Sequence, residues 1–152
     1  MTSPIAFAWA ALGITGIAAI FDWRTGRIPS WLSLGTLFVA PIAHALATRV
    51  QAGGALGGLA LAGLGAACAG APPLLLWRLG GIGGGDVKLV AAAGALLGPT
   101  LGVESLLYAC LLAGSYAVLR MAWDGSLLRT IRFGPALCAG VALAVVLPGA
   151  LS

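Results

Sequence analysis

The sequence predicts an all-α fold, a polytopic helical bundle embedded in a membrane, and composition is the first reason. Only 8% of the 152 residues are charged and 61% are hydrophobic, which leaves too little charge to cover the surface of a soluble domain of this length. Apolar runs long enough to cross a hydrocarbon core of ~30 Å recur along the chain. No polar domain or linker interrupts them, so we expect one membrane-embedded domain over residues 1–152.

Small residues give the third indication of this fold. The stretch "GALGGLALAGLGAACAG" contains small residues four positions apart, as at Gly54 and Gly58. This spacing lets helix backbones approach closely in lipid, where packing drives association. It is typical of a tightly packed membrane bundle.

The apolar runs define the predicted spans, each of which needs ~20 residues to cross the membrane as a helix. The first run lacks a basic n-region and a cleavage site, which favours a retained span over a cleaved signal peptide. The prediction is of about six transmembrane helices, near Pro4–Phe21, Ser30–Thr48, Leu56–Leu79, Val87–Leu101, Val103–Trp123 and Phe133–Leu151.

Basic residues predict the orientation in the membrane. Arg49 lies at one junction between spans, and the seven others fall at junctions on the opposite side: Arg24, Arg27, Arg78, Lys88, Arg120, Arg129 and Arg132. The positive-inside rule makes that side cytoplasmic and places both termini outside. Because no Lys/Arg run or aromatic-basic surface is present, nucleic acid is not an expected partner; the lipid bilayer is.

Two of the four acidic residues are candidates for chemistry. Asp22 ends the first span and Asp86 begins the fourth, both on the predicted cytoplasmic side. Asp124 lies in "WDGS", which is typical of a turn. Glu104 opens the fifth span, where the helix dipole favours a carboxylate. Simpler interpretations of the pair remain open: Asp22 could form an interfacial ion pair with arginine, and Asp86 could cap its helix.

Glycines around Asp86, in "GGIGGGDVKLV", favour a functional interpretation. A helix cap does not need five of them, whereas glycine allows another backbone to approach the carboxylate closely. The fourth span from Asp86 to Leu97 covers only ~18 Å, so Asp86 is expected in a water-accessible recess, where an ionisable group is a functional candidate. We therefore expect Gly83 and Gly85 to tolerate substitution less than Gly94 or Gly114.

Several other residues have structural interpretations. Cys68, Cys110 and Cys138 lack the spacing of a metal or disulfide framework and are expected to be small buried hydrophobes. His44 is expected to pack within the second span or at the interface. No metal or other cofactor is predicted.

Three ordered segments carry a resemblance to a known family. They are "DWRTGRIPSWLS" after the first span, "GGGDVKLVAAAGALLG" with its Gly-x-Gly-Asp motif, and "RFGPALCAG" near the last span. Together they resemble the type IV prepilin peptidase family, GxGD-type intramembrane aspartic proteases. Ser30 and Arg132 depart from residues common in that family. The chain resembles the short form found with tight-adherence (Flp-type) pili, because nothing matches the cysteine-paired cytoplasmic domain linked to methylation.

The resemblance implies a function and a set of site residues. Asp22 and Asp86 would be catalytic, and Gly83, Gly85 and Lys88 would bind substrate or shape the loop, although Lys88 is also suited to an interfacial anchor. The substrates would be prepilins or pseudopilins, cleaved at the cytoplasmic face of the bacterial inner membrane. The pilin, the cleavage-site preference, the oligomeric state and the acid and base roles of the two aspartates stay open.

Two other function classes compete with a peptidase. Intramembrane aspartates also bind protons or cations in a small transporter or channel, but the two halves of the chain lack the internal symmetry common in transporters. The third hypothesis is a non-catalytic assembly factor, against which the intact pair of aspartates counts.

Overall fold

The computed structural model describes residues 3–48, 54–124 and 133–147, and within these ranges the chain is helical apart from short turns. The helices are α1 (Ser3–Thr25), α2 (Ser30–Ala47), α3 (Gly54–Arg78), α4 (Gly84–Asp124) and α5 (Phe133–Val146). The first four are long and apolar enough to cross a membrane, and α5, with 14 residues, is shorter. The prediction of an all-α membrane bundle is confirmed.

A sharp bend divides α4 into two limbs, residues 84–97 and 99–124. Gly98 leaves the helical conformation with φ 80° and is followed by Pro99. Glycine adopts such a positive φ without steric cost. A Cβ added to Gly102 would lie 3.0 Å from the Cα of Gly94, whereas residues eight apart in a straight helix are separated by ~12 Å. The limbs therefore fold back on each other, and they replace the predicted fourth and fifth spans.

The turn before Asp86 is built from the end of α3. The N–H of Gly81 donates to the carbonyl of Leu76 at 2.8 Å, and the N–H of Gly80 donates to that of Trp77 at 2.9 Å. This pair of bonds, with Gly80 at φ 78°, is a Schellman motif. Positive φ in this loop thus falls at Gly80, and not at Gly83 or Gly85.

Small side chains allow α3 and α4 to pack with their backbones in contact. A Cβ on Gly94 would collide with the carbonyl oxygen of Gly65 and lie 2.6 Å from the Cβ of Ala69. The expectation that Gly94 tolerates alanine better than Gly83 or Gly85 is therefore wrong, because a backbone atom cannot move aside as a flexible side chain can. Gly114 has no such neighbour within 4 Å.

Gly94→Ala is accordingly expected to destabilise the bundle by about 1–3 kcal/mol, the range for overpacking a close contact. The measurement is thermal unfolding in detergent, with the amount of protein in membranes as a second readout. Gly114→Ala is the matched control on the same helix and should match the wild type. Equal stability of the two variants would show that α3 and α4 do not approach as closely as described.

The basic residues that the structure describes gather toward one end of the bundle. Arg24 and Arg27 flank the end of α1, and Arg78 and Lys88 flank the turn between α3 and α4. These two turns meet, because a Cβ on Gly85 would lie 3.5 Å from the Cβ of Ile28. The second limb of α4 runs back toward the same end and carries Arg120. The other basic residues, Arg49, Arg129 and Arg132, lie outside the described residues.

The cysteines do not pack as predicted. Cys68 and Cys110 are exposed and Cys138 is half-buried, and all three are free thiols. Two of them therefore face the surroundings of the bundle. In a membrane, where lipid tails are as apolar as a protein interior, a small apolar side chain does not need burial.

Candidate active site

Asp22 lies in the last turn of α1 with its side chain turned into the bundle. Its carbonyl accepts the bond from the N–H of Gly26 that ends the helix, at 2.9 Å. Its side chain is only 7% exposed, and Oδ2 accepts a hydrogen bond from the N–H of Gly134 at 3.2 Å. A surface ion pair with Arg24 or Arg27 does not describe this residue, since both arginines are exposed.

Asp86 lies in the first turn of α4, half-buried. Its N–H donates to the carbonyl of Gly83 at 3.1 Å, and Oδ2 of its carboxylate also lies close to Gly83, since an added Cβ there would be 3.2 Å away. In a capping box, an acidic third residue reaches back in this way toward the N-cap. The position of Asp86 agrees with the capping interpretation, and it directs the carboxylate toward the glycine turn.

The two aspartates come together at the basic end of the bundle. They are 64 positions apart in the sequence, yet their carboxylates are close enough to interact electrostatically. A hydrophobic cluster lies directly beneath them, with Ala18 one turn before Asp22 and Leu89 and Val90 one turn after Asp86. Two carboxylates that lie between a hydrophobic cluster and the exposed glycine turn form a site suited to proton transfer.

The glycines around Asp86 differ in what surrounds them. A Cβ on Gly83 would lie 3.2 Å from Oδ2 of Asp86, tighter than most contacts, whereas the one on Gly85 would make an ordinary contact of 3.5 Å with Ile28. Lys88 is exposed and two residues from Asp86, which points it to a different face of the helix. These positions agree with a loop-shaping role for Gly83 more than for Gly85.

Gly83→Ala is expected to lower activity severalfold, because the new methyl group shifts the Asp86 carboxylate by a few tenths of an ångström; a shift of 1 Å can cost about 10²-fold. Gly85→Ala, its neighbour two residues on, should retain most of the wild-type rate. The measurement is the initial rate of precursor cleavage, normalised to protein amount. The reverse order of effects would contradict this geometry.

Glu104, Asp124 and His44 are the remaining polar candidates. Glu104 is 5% exposed and in the second turn after the bend at Gly98, so the predicted first-turn position is wrong. Asp124 is the last residue of α4, and the rest of its predicted turn lies outside the described residues. His44 is buried as expected, with Nε2 3.0 Å from the carbonyl oxygen of Leu96 and its ring stacked on Phe7 at 4.0 Å.

Gly134 is the site residue whose role the sequence did not reveal. It lies at the N-terminus of α5, where free N–H groups point outward and attract carboxylates. A Cβ at this position would lie 2.9 Å from Oδ2 of Asp22, so only glycine fits without displacing the carboxylate. The signal was "RFGPALCAG", which contributed to the family resemblance without giving this glycine a role of its own.

No group of three or more His, Cys, Asp or Glu side chains comes together in residues 3–48, 54–124 and 133–147 to hold a metal ion.

The fold and the site together define a polytopic α-helical membrane protein with a pair of carboxylates at one end of its bundle. Residues 9–118 match the family model of the type IV leader peptidases, and the chain belongs to this family of proteases. The match includes Asp22 and Asp86 and ends before Gly134. No curated protein and no solved structure matches the chain.

Proposed function

We propose that this protein is an intramembrane aspartic endopeptidase that removes the basic leader peptide from type IV, Flp-like prepilins at the cytoplasmic face of the bacterial inner membrane. The observation that carries the proposal is that Asp22 and Asp86 lie above the same hydrophobic cluster at the basic end of the bundle, near enough for their carboxylates to interact electrostatically. Membership of the leader peptidase family supports the substrate class.

The paired carboxylates supply the chemistry. Two neighbouring carboxylates do not both ionise readily, so one keeps a proton and the pair titrates as a unit. The ionised member takes a proton from water as the water oxygen attacks the scissile carbonyl carbon, and the protonated member donates to the carbonyl oxygen. When the C–N bond breaks, the leaving nitrogen receives a proton and the pair returns to its starting state.

The surroundings of each aspartate suit these roles. The N–H of Gly134 holds the Asp22 carboxylate in a fixed direction, and the Asp86 carboxylate lies against Gly83, so neither has to move far during proton transfer. Asp22 is the more deeply buried, and Asp86 faces the glycine turn. A substrate chain that enters across this turn would reach Asp86 first.

The position of the site relative to the membrane matches a leader peptide. Basic residues flank the turns next to both aspartates, and such residues concentrate on the cytoplasmic side. A prepilin leader is basic and is followed by a hydrophobic helix, so its cleavage site lies where the membrane meets the cytoplasm. The exposed backbone of the glycine turn is suited to pairing with an extended leader.

The test is cleavage of a prepilin precursor in membranes that contain this chain, with the new N-terminus identified by mass spectrometry. We expect a single cut between the basic leader and the hydrophobic helix. A proton or cation flux through liposomes containing the chain, without cleavage, would favour a transporter or channel. The absence of both activities would favour an assembly factor.

The proposed orientation gives a separate prediction. In a chain with its native cysteines replaced, new cysteines at the termini and at positions 49–53 should react with a membrane-impermeant reagent added outside the cell. Cysteines at Thr25, Gly81 and Gly125 should react only after the membrane is opened. Labelling of Gly81 from outside would place the glycine turn away from a cytoplasmic leader and contradict the proposal.

A further inference from the structure

An apolar groove separates α1 from α2, although these helices follow each other in the sequence. The two helices scarcely touch, and the space between them has a volume of about 520 Å³. Phe7, Ala10 and Ile14 line it on α1, and Leu32, Gly35 and Val39 are among its lining residues on α2. The groove is therefore an opening in the side of the bundle, along the helix axes.

The chemistry of the groove suits an apolar occupant. Its one hydroxyl group, on Thr36, already donates to the carbonyl of Leu32 at 2.8 Å, and its other polar side-chain group, the indole N–H of Trp31, belongs to an exposed residue. Its lining on α2 runs from Trp31 to Ala43, which is about three turns or ~18 Å of helix. At Gly35 an added Cβ would meet nothing within 4 Å, so another helix backbone has room to approach there.

Both walls of the groove lead to the candidate active site. On α1, Ile14, Ala18 and Asp22 follow one another at intervals of four residues and share a helix face, with Asp22 ~12 Å beyond Ile14. Leu32, in the first turn of α2, and Ile28, in the turn before it, both pack against the cluster beneath the aspartates. Ile28 in turn faces Gly85, next to Asp86. An occupant lying along the groove thus has its end near the two carboxylates.

We infer that the groove between α1 and α2 binds the hydrophobic transmembrane helix of the substrate and so delivers the adjoining peptide bond to Asp22 and Asp86. The inference rests on the proposed function. It adds a binding site within the membrane that is separate from the contacts with the leader. The continuity of the groove with the aspartate pair favours a substrate helix over a lipid acyl chain, and the crosslinking experiment below distinguishes the two.

Filling the groove tests this inference. Gly35→Leu should lower the rate of cleavage of a full precursor by about tenfold, equivalent to ~1.4 kcal/mol of lost substrate or transition-state binding. The same variant should cleave, at the wild-type rate, a soluble peptide that spans the leader junction and ends before the hydrophobic helix. Gly63→Leu is the matched control, since Gly63 lies on α3 outside the groove and also has nothing within 4 Å.

The outcomes distinguish a failure of the inference about the groove from a failure of the proposed function. Cleavage of the precursor by Gly35→Leu at the wild-type rate would overturn the inference alone, as would an equal loss on precursor and peptide. If the wild type cleaves neither substrate, or Asp22→Asn cleaves at the wild-type rate, the proposed function fails and the inference with it.

A photo-crosslinking residue gives a readout that does not depend on turnover. Placed at Val39, in the groove, in the Asp22→Asn background, it should crosslink to the hydrophobic helix of the bound precursor. Placed at Phe38, the neighbouring exposed residue outside the groove, it should not. Crosslinks from Val39 only to lipid, or only to a second copy of this chain, would overturn the inference. This result also decides the question if the wild type does not cleave the shortened peptide.

Discussion

Replacing either Asp22 or Asp86 with asparagine is expected to lower the rate of leader cleavage by at least about 10²-fold, the lower part of the range for losing general acid–base catalysis. Asparagine keeps the shape of the side chain but cannot take or give the proton. Each carboxylate is needed in a different protonation state, so the single variants and the double variant should be similarly inactive. The measurement is the initial rate of precursor cleavage in membranes with equal amounts of each variant.

The controls for this prediction are the other two acidic residues. Asp124→Asn changes a carboxylate at the end of α4, and Glu104→Gln changes a buried one on the second limb of α4; both should retain activity. Gel filtration in detergent should show that Asp22→Asn and Asp86→Asn fold as the wild type does. Cleavage by Asp22→Asn at the wild-type rate would end the proposal of an aspartate pair.

Gly134→Ala is expected to reduce kcat by about 10²-fold, because a 1 Å misplacement of a catalytic group has an effect of that size. The backbone N–H of residue 134 is retained, so the variant tests the crowding of the carboxylate alone: the new methyl group would lie 2.9 Å from Oδ2 of Asp22. KM should change little, since the substituted position faces Asp22 and lies outside the proposed groove. Rates over a range of precursor concentrations separate the two parameters.

The matched control is Gly16→Ala at the same α1–α5 interface. Its Cβ would lie 3.9 Å from Sγ of Cys138, an ordinary contact, so activity and stability should stay near the wild-type values. Alanine also has the better helix propensity, by ~1 kcal/mol. Normal cleavage by Gly134→Ala would show that Asp22 does not depend on the N-terminus of α5.

Local features explain why so much of the site could be predicted. Asp22 and Asp86 each interrupt an apolar run at a helix end, and a charge in such a place is visible without a structure. The helix ends were also marked locally, as by the glycines that end α3. In contrast, the sequence analysis ended the fourth span at Leu101, whereas the two limbs of α4 separate at Gly98. Gly98 and Pro99 are both helix breakers and marked the correct position.

The sequence alone determined that the chain forms a membrane helical bundle and that two aspartates lie at its basic end. Hydrophobicity, charge and helix breakers are properties of single residues and short segments, so they can be identified without a structure. Which faces meet was decided only by the tertiary structure. Membrane helices are apolar all round, so their periodicity does not reveal a packed face. The contact of Gly134 with Asp22 spans 112 positions, Gly94 meets Gly65 through backbone atoms, and the groove exists because α1 and α2 make little contact with each other. Each depends on how helices fit together in three dimensions, and no local pattern records it.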